Sequence, residues 1–263
     1  MASGKGGVGK TNVAVNLALS LRLFGREVLL VDADMGLANV DILLGLRPQY
    51  DLRDVILDGR PFEDVVLKGP RGLEILPGAS GIEEMAQLSP QEVERFLGEL
   101  ERYCAGKDFV VVDSAPGLSS QVINCLLAAD EVLLVTNPEP TALTDAYALL
   151  KVLSTKPDAR GKAVHVIVNQ AGSREEAVLS FDRIRNAAKH FLNWDVTYLG
   201  SVARDPSVSQ ASKEQVDFLT HYSASPCSRD VRKIAARLLS AEGKSATSMC
   251  RFFRAMLEET ADE

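Results

Sequence analysis

Short apolar runs recur along the chain and are separated by longer stretches with helical spacing. Most of these runs carry Val, Ile and Leu at successive positions, which is typical of parallel strands buried on both faces. They occupy residues 28–31, 73–76, 109–112, 132–135, 164–168 and 196–199. The pattern therefore predicts six buried strands.

The intervening stretches repeat apolar residues every three or four positions, so each has one apolar stripe. Clear examples are residues 14–21, 143–153 and 231–239. Ser225 and Pro226 precede the last of these and supply an N-cap and a first-turn proline. Strands that alternate with helices predict an α/β fold, in which a doubly wound and mostly parallel sheet has helices on both faces.

Neither an internal repeat nor a long linker divides the chain. A length of 263 residues is compatible with one large domain, since domains contain roughly 100–200 residues. The composition changes only near residue 242. We therefore expect one domain over residues 1–241 and a tail over residues 242–263.

Apolar residues in the tail fall at helical spacing and predict a short amphipathic helix. This apolar stripe consists of Met249, Phe252, Phe253, Met256 and Leu257. Two arginines beside the stripe favour contact with an anionic membrane surface, whereas the acidic residues that follow oppose it. The alternative is that the stripe packs on the body of the protein or on a partner.

Composition and charge disfavour several classes of protein. No apolar run approaches the ~18 residues of a membrane-spanning helix, and polar residues occupy the N-terminal segment where a secretory signal would be apolar. A formal net charge of −7 disfavours direct binding to DNA. The four cysteines form no C-x-x-C pair, which disfavours an iron–sulfur or zinc site. We expect a cytoplasmic protein with reduced thiols.

The strongest chemical pattern is a glycine-rich segment near the start of the chain. Residues 4–11 fit the phosphate-loop pattern G-x-x-x-x-G-K-[ST], and a helical stretch follows directly. Glycines let the backbone curl so that its N–H groups point at phosphate oxygens, and the helix adds its positive N-terminal dipole. The predicted nucleotide-binding residues here are Gly4, Lys5, Gly6, Gly7, Val8, Gly9, Lys10, Thr11 and Asn12.

Two residues of this segment have defined chemical roles when ATP and Mg²⁺ bind. The Lys10 ammonium would neutralise the β- and γ-phosphate oxygens, and the Thr11 hydroxyl would hold Mg²⁺. The alternative is a glycine-rich turn with solvated lysines. The full match of eight residues, followed by a helix, favours the phosphate loop.

Two predicted strands end in carboxylates that are candidates for the same site. Asp34 follows the strand at 28–31, and Asp113 follows the strand at 109–112. The carboxyl ends of parallel strands converge on the crevice where such sheets bind ligands. Asp113 is therefore predicted to act as the Walker B acid that holds Mg²⁺ through water. Asp34 is predicted to orient the attacking water or to accept its proton. For each aspartate the alternative is a helix cap at the end of a strand.

Longer segments resemble a known family. Lys5 matches the signature lysine of deviant Walker A ATPases, the class that includes MinD, ParA and the nitrogenase iron protein. Within that class, residues 10–18, 32–46, 77–82 and 139–151 resemble MinD-like regulators of flagellar number, the FleN/FlhG type. The resemblance covers nearly the whole chain and is strongest up to about residue 155.

The resemblance implies a homodimer that forms around two ATP molecules. It implies that Lys5 of one subunit reaches the phosphates held by the other, so that Lys5, Lys10 and Asp34 form the catalytic set. It also implies that Asn169 lies beside adenine, although a buried Asn that caps a loop is the alternative. Thr11 and Asp113 remain the predicted metal ligands.

The resemblance further implies a role and partners. The leading hypothesis is a Mg-ATP-dependent dimerisation switch that regulates flagellar assembly, with slow ATP hydrolysis as its reset. Its implied partners are a flagellar transcription activator and a signal-recognition-type flagellar GTPase, with peripheral membrane contact through the tail. Other hypotheses are a cell-division or DNA-partitioning ATPase, an iron–sulfur carrier ATPase and a small-molecule kinase.

The start of the chain departs from the pattern of a phosphate loop. Met1, Ala2 and Ser3 alone precede Gly4, although such a loop ordinarily follows an apolar strand. The first strand of the sheet is therefore apparently missing. Buried neighbouring strands would lose hydrogen-bond partners at about 1–3 kcal/mol each, so we expect a native protein that begins upstream with a short apolar strand.

Overall fold

The computed structural model of the protein describes residues 1–34, 39–51, 54–55, 58–78 and 90–240. Its strands are β1 (Val28–Ala33), β2 (Leu67–Lys68), β3 (Glu74–Leu76), β4 (Phe109–Ser114), β5 (Glu131–Thr136), β6 (Ala163–Ala171) and β7 (Thr197–Ala203). The six predicted strands are thereby confirmed as β1 and β3–β7. The pattern did not predict β2, because a strand of two residues is too short to show a period.

Helices connect these strands as the alternating pattern predicted. They are α1 (Lys10–Leu23), α2 (Val40–Leu43), α3 (Phe62–Val65), α4 (Pro90–Cys104), α5 (Ser120–Ala128), α6 (Pro140–Ser154), α7 (Arg174–Ala187), α8 (Pro206–Glu214), α9 (Phe218–His221) and α10 (Pro226–Ser240). The three apolar stripes correspond to α1, α6 and α10. Ser225 caps α10 as expected, since its hydroxyl accepts a hydrogen bond from the Ser228 N–H at 3.3 Å.

The strands form two adjoining sets, in the orders β2-β3-β1-β4 and β5-β6-β7. Every pair is parallel except the short antiparallel pair of β2 and β3. Strands β1 and β4 pair in a register that places Asp32 opposite Asp113. The carboxyl ends of these two strands therefore bring acidic side chains to one edge of the sheet.

Residues 1–3 lie between the two sets of strands, where a first strand was expected. Ala2 forms an isolated parallel bridge with Leu134 of β5. Its N–H donates to the Leu133 carbonyl at 2.9 Å, and its carbonyl accepts from the Val135 N–H at 2.8 Å. On the other side, the Met1 carbonyl accepts from the Ser114 N–H at 3.1 Å. This short segment joins β4 to β5, and the observed fold contains no full strand here within the described residues.

Alternate side chains of each strand enter cores on opposite faces of the sheet. On one face, Leu30, Ile75 and Leu133 pack with α1 and α10. The other face divides into a cluster around Leu29 and α4 and a cluster around Leu134 with α5, α6 and α7. Because both faces of the sheet are buried, its strands appear in the sequence as continuous apolar runs. The doubly wound α/β fold predicted from the sequence is confirmed.

The predicted tail and its boundary after residue 241 lie outside the described residues, as does the apolar stripe from Met249 to Leu257. The same holds for residues 35–38 and 79–82, which belong to the segments that carry the family resemblance. Across the described ranges, no helix combines the length and apolar character needed to span a membrane.

Candidate nucleotide-binding site

The phosphate loop connects Ser3 to helix α1 through backbone conformations that favour glycine. Gly7 and Gly9 both have φ of 82°, in the left-handed region. At Gly9 there is also no room for a side chain, since an added Cβ would lie 2.4 Å from Asn169 Nδ2. At Gly4 an added Cβ would lie 2.2 Å from the backbone oxygen of Asp145. Backbone conformation therefore favours glycine at Gly7, close approach requires it at Gly4, and both apply at Gly9.

Lys10 and Asp113 form a buried ion pair at the base of the loop. The Lys10 ammonium lies 2.5 Å from Asp113 Oδ1, and the side chains are 6% and 1% exposed. The second carboxylate oxygen, Asp113 Oδ2, is buried and has no hydrogen-bond partner within the described part of the chain. A buried carboxylate oxygen without a partner is costly unless a ligand satisfies it. This atom is therefore available to a metal ion or to water bound to the metal.

Asp32 binds the backbone N–H groups of Asp34, Asn39 and Val40, and sequence reasoning did not select it. Its carboxylate accepts hydrogen bonds from the N–H groups of Asp34 at 3.1 Å, Asn39 at 2.9 Å and Val40 at 3.1 Å. Burial raises the pKa of Asp32, while these N–H donors oppose the increase. Its position two residues before Asp34, at the end of the strand, was the signal available in the sequence. Asp32 anchors the start of α2 to the end of β1.

An open cleft of about 360 Å³ lies in front of the phosphate loop. A volume of this size is in the range of small-molecule sites. The cleft is lined by Ser3, residues 6–12, Asp34, Asn39, Ile42, Leu43, Pro116, Ser212 and Gln215. The structure thus brings the phosphate loop, Thr11 and the predicted water-orienting Asp34 to one cavity. Asp113 is buried below it, in contact with Lys10.

Lys5 contacts the start of α6 and does not line this cleft. Its ammonium lies 3.3 Å from Glu139 Oε2 and 3.0 Å from Thr141 Oγ1, at the start of α6. The Lys5 side chain is 40% exposed. Lys5 is not among the residues that line the cleft. The two lysines of the loop therefore occupy different environments, Lys10 in the interior and Lys5 at the surface.

Asn169, at the end of β6, supports the loop from behind. Its Nδ2 donates to the Val8 carbonyl at 2.8 Å, and the residue is buried. The neighbouring Gln170 Nε2 lies 3.4 Å from the Gly7 carbonyl. This is the loop-capping contact that the sequence left open as the alternative. A contact of Asn169 with adenine stays a prediction.

The residues present fit a nucleotide and Mg²⁺. The backbone N–H groups of the loop and the start of α1 suit phosphate, and the loop has the close backbone approach that excludes side chains. The Thr11 hydroxyl at the cleft and the unpartnered Asp113 Oδ2 are oxygen ligands of the kind that Mg²⁺ prefers. The described ranges contain no group of three or more His, Cys, Asp or Glu side chains placed to hold a metal ion by themselves.

Together, the loop, the buried Lys10–Asp113 pair and the parallel sheet define a P-loop nucleotide-binding protein. The family described as "AAA domain" matches residues 1–164. The chain is 44% identical over 215 residues to antiactivator FleN of Pseudomonas aeruginosa, covering 82% of this chain and 76% of FleN. It is 32% identical over 217 residues to flagellum site-determining protein YlxH of Helicobacter pylori, covering 82% and 72%.

A solved structure is similar over nearly the whole fold. The septum site-determining protein MinD of Pyrococcus horikoshii OT3, complexed with Mg-ADP, superimposes with a TM-score of 0.71 and 28% identity, covering 91% of this chain and 95% of that one. The chain therefore belongs to the MinD/ParA family of P-loop ATPases, together with the flagellar relatives FleN and YlxH. The family resemblance and the ATPase class predicted from the sequence are confirmed.

Proposed function

We propose that this ATPase is a Mg-ATP-dependent dimerisation switch that regulates the number or placement of flagella. The flagellar relatives FleN and YlxH, at 44% and 32% identity, support the cellular role. Hydrolysis of ATP to ADP and phosphate returns the dimer to monomers. The flagellar partners that fit this role are a transcription activator and a signal-recognition-type GTPase.

The position of Lys5 is the observation that carries the dimerisation part of the proposal. Lys5 is held at the surface by Glu139 and Thr141, outside the cleft of its own chain. A cation at the surface can serve phosphates held by a second copy of the chain. A cation supplied in trans can compensate the charge on the transferred phosphoryl group and so stabilise the transition state. Hydrolysis then depends on association.

Within one subunit, different residues bind the phosphates and activate the attacking water. The loop N–H groups bind phosphate oxygens, and Lys10 adds a positive charge from below the loop. Asp34, at the cleft, orients the attacking water and accepts its proton. Mg²⁺, when held by Thr11 and Asp113, supplies further neutralisation of phosphate charge. The Lys10 ammonium and the Asp113 carboxylate lie 2.5 Å apart in the buried base of the site.

The decisive experiment compares Lys5→Ala, Lys10→Ala and Asp34→Ala by ATP binding, light scattering after gel filtration, and ATPase rate. Lys10→Ala should lose ATP binding, because it removes the buried cation beneath the loop. Lys5→Ala should bind ATP yet remain monomeric and fail to hydrolyse it. Asp34→Ala should accumulate as an ATP-bound dimer, because the phosphate contacts stay intact.

Lys151→Ala is the matched control for this experiment. Lys151 is an exposed lysine in the last turn of α6, the helix whose start contacts Lys5. Its removal changes the net charge equally and should leave dimerisation and hydrolysis unchanged. Wild-type ATPase activity in Lys5→Ala would contradict dimer-dependent hydrolysis.

A second candidate role is positioning of the division septum, as in MinD. The similarity to the MinD structure, with 28% identity over 91% of this chain, favours it. Deletion of the gene separates the roles, because a flagellar regulator alters flagellar number whereas a septum regulator produces misplaced septa. A DNA-partitioning role predicts DNA binding, which a mobility-shift assay at physiological salt would detect.

The apolar stripe of the tail is proposed to provide a reversible membrane contact. Sedimentation with anionic liposomes, with and without ATP, compares the full chain with residues 1–240. ATP-dependent lipid binding of the full chain alone supports a membrane contact. No lipid binding in either state favours packing of the stripe on protein.

A further inference from the structure

The C-terminal end of α8 contacts two different parts of the cleft. Ser212 Oγ lies 3.4 Å from Asn12 Oδ1, at the start of α1 and directly after the phosphate loop. Gln215 Nε2 donates to the Ile42 carbonyl at 3.0 Å, in helix α2. The end of α8 therefore connects α1, the helix that follows the phosphate loop, to helix α2.

Gln215 has a backbone conformation that residues other than glycine rarely adopt. Its φ and ψ are 54° and 47°, in the left-handed region, directly after the last residue of α8. The Val216 N–H donates to the Ala211 carbonyl at 3.0 Å, which is a bond typical of helix ends that favour glycine at this position. Glycine is favoured there because a Cβ crowds the following carbonyl oxygen. A side chain in this place needs a compensating contact, and the amide of Gln215 makes one with Ile42.

Helix α2 is held at both of its ends. At its start, the N–H groups of Asn39 and Val40 donate to the Asp32 carboxylate. Near its other end, the Ile42 carbonyl accepts from Gln215. The turn that follows approaches closely, because a Cβ added to Gly45 would lie 3.3 Å from the Gln215 Cβ. Removal of the Gln215 amide would release α2 at one end and leave it held at the other.

We propose that Gln215 is a positioning residue that links the phosphate-loop side of the cleft, through α2 and the Asp32 carboxylate, to Asp34. Through α2 it keeps Asp34 oriented for attack by water. This inference rests on the proposed function, because that function assigns the hydrolytic role to Asp34. Gln215 also lines the cleft itself.

Two substitutions separate the amide contact from the backbone strain. Gln215→Met preserves side-chain length and the strained backbone but removes the donor. Gln215→Gly removes the donor and relieves the strain. Both should lower kcat for ATP hydrolysis about two- to tenfold, the effect of one hydrogen bond, and leave the KM for ATP unchanged. The melting temperature of Gln215→Gly should equal or exceed that of the wild type.

Asn193→Gly is the matched control for strain relief. Asn193 is an exposed residue with φ of 50°, directly after the short π-helix Ala188–Leu192 and outside the cleft. Asn193→Gly should raise stability to a similar degree and leave kcat unchanged. A second readout is amide hydrogen exchange of residues 41–46 without nucleotide. Exchange there should be faster in both Gln215 variants than in the wild type and in Asn193→Gly.

The outcomes of these measurements distinguish the positioning role of Gln215 from the proposed function. The positioning role is supported if both Gln215 variants have a lower kcat and faster exchange at residues 41–46, and if Gln215→Gly is at least as stable as the wild type. Wild-type kcat and exchange in Gln215→Met would overturn it while the proposed function stands. A loss of kcat matched by a lower melting temperature in Gln215→Gly would also overturn it, because the role would then be structural. Absence of ATP hydrolysis in the wild-type protein would instead overturn the proposed function, and the role of Gln215 with it.

Discussion

The glycines of the phosphate loop differ in how much space the fold leaves for a side chain. Gly4 and Gly9 are both excluded from bearing a Cβ by close contacts, Gly4 with the backbone of α6 and Gly9 with the Asn169 amide. Gly7 has the same φ as Gly9 but open space around it. The motif alone does not distinguish these glycines, because the distinction depends on what α6 and β6 place against the loop.

Gly9→Ala should weaken ATP binding at least tenfold. The substitution imposes left-handed strain of about 1–2 kcal/mol and pushes the Asn169 amide out of its hydrogen bond with Val8. Isothermal titration with ATP measures the effect. Gly25→Ala is the control, since Gly25 has φ of 83° and open space around it, outside the cleft. Equal ATP affinity in Gly9→Ala and wild type would show that the Asn169 contact does not support the loop.

At the scale of elements, one charged network ties the amino-terminal edge of the sheet to α4. Glu74 of β3 accepts a hydrogen bond from the Tyr103 hydroxyl at 2.8 Å and forms ion pairs with Lys68 of β2 and Lys107. Burial by itself would raise the pKa of Glu74, but the hydrogen bonds from Lys107, Lys68 and Tyr103 outweigh it and lower the pKa to about 2. The network therefore stabilises the fold in the ionised state of Glu74.

The stability contributed by Glu74 should depend on pH in a defined direction. Because the folded pKa lies below the unfolded value of 4.5, the contribution is complete above pH 4.5 and is lost as the pH falls towards about 2. Urea unfolding should show Glu74→Gln to be less stable than wild type at pH 7, with the difference decreasing below pH 4.5. Glu101→Gln, an exposed carboxylate on α4, provides the control. A difference that is constant from pH 7 to pH 3 would contradict the network's role.

At the scale of the whole molecule, residues 1–3 join the two sets of strands. Ala2 is fully buried and exchanges hydrogen bonds with both Leu133 and Val135 of β5. Met1 and Ser3 accept from the N–H groups of Ser114 and Gly117 on the other side. The edge strand β4 and the edge strand β5 are therefore held together by backbone contacts of a three-residue segment.

Ala2→Pro should destabilise the protein as a whole. Proline removes the N–H that donates to Leu133 and leaves a buried carbonyl without its partner, at a cost of about 1–3 kcal/mol. At roughly 2–4 °C per kcal/mol for a chain of this size, thermal unfolding should detect the loss. Ala2→Gly keeps both hydrogen bonds and is the control. Equal melting temperatures for the two variants would mean that this segment does not hold the strands together.

Local rules explain why so much of this protein could be predicted from its sequence. Glycine conformational freedom defines the phosphate loop, and apolar periodicity defines the six strands and the helices α1, α6 and α10. Asp34 and Asp113 could be selected because the carboxyl ends of parallel strands meet at one edge of the sheet. These features depend on residues close together in the chain, so that the sequence by itself determines them.

Tertiary structure alone decided which distant groups meet. Three contacts depend on packing between separate elements. They are the contact of Lys5 with Glu139 and Thr141, the support of the loop by Asn169, and the contact of Gln215 with Ile42. The sequence separation between such partners reaches 173 residues for Gln215 and Ile42. No local periodicity encodes a pair of that kind, because its geometry arises only when the sheet has set the order of its strands.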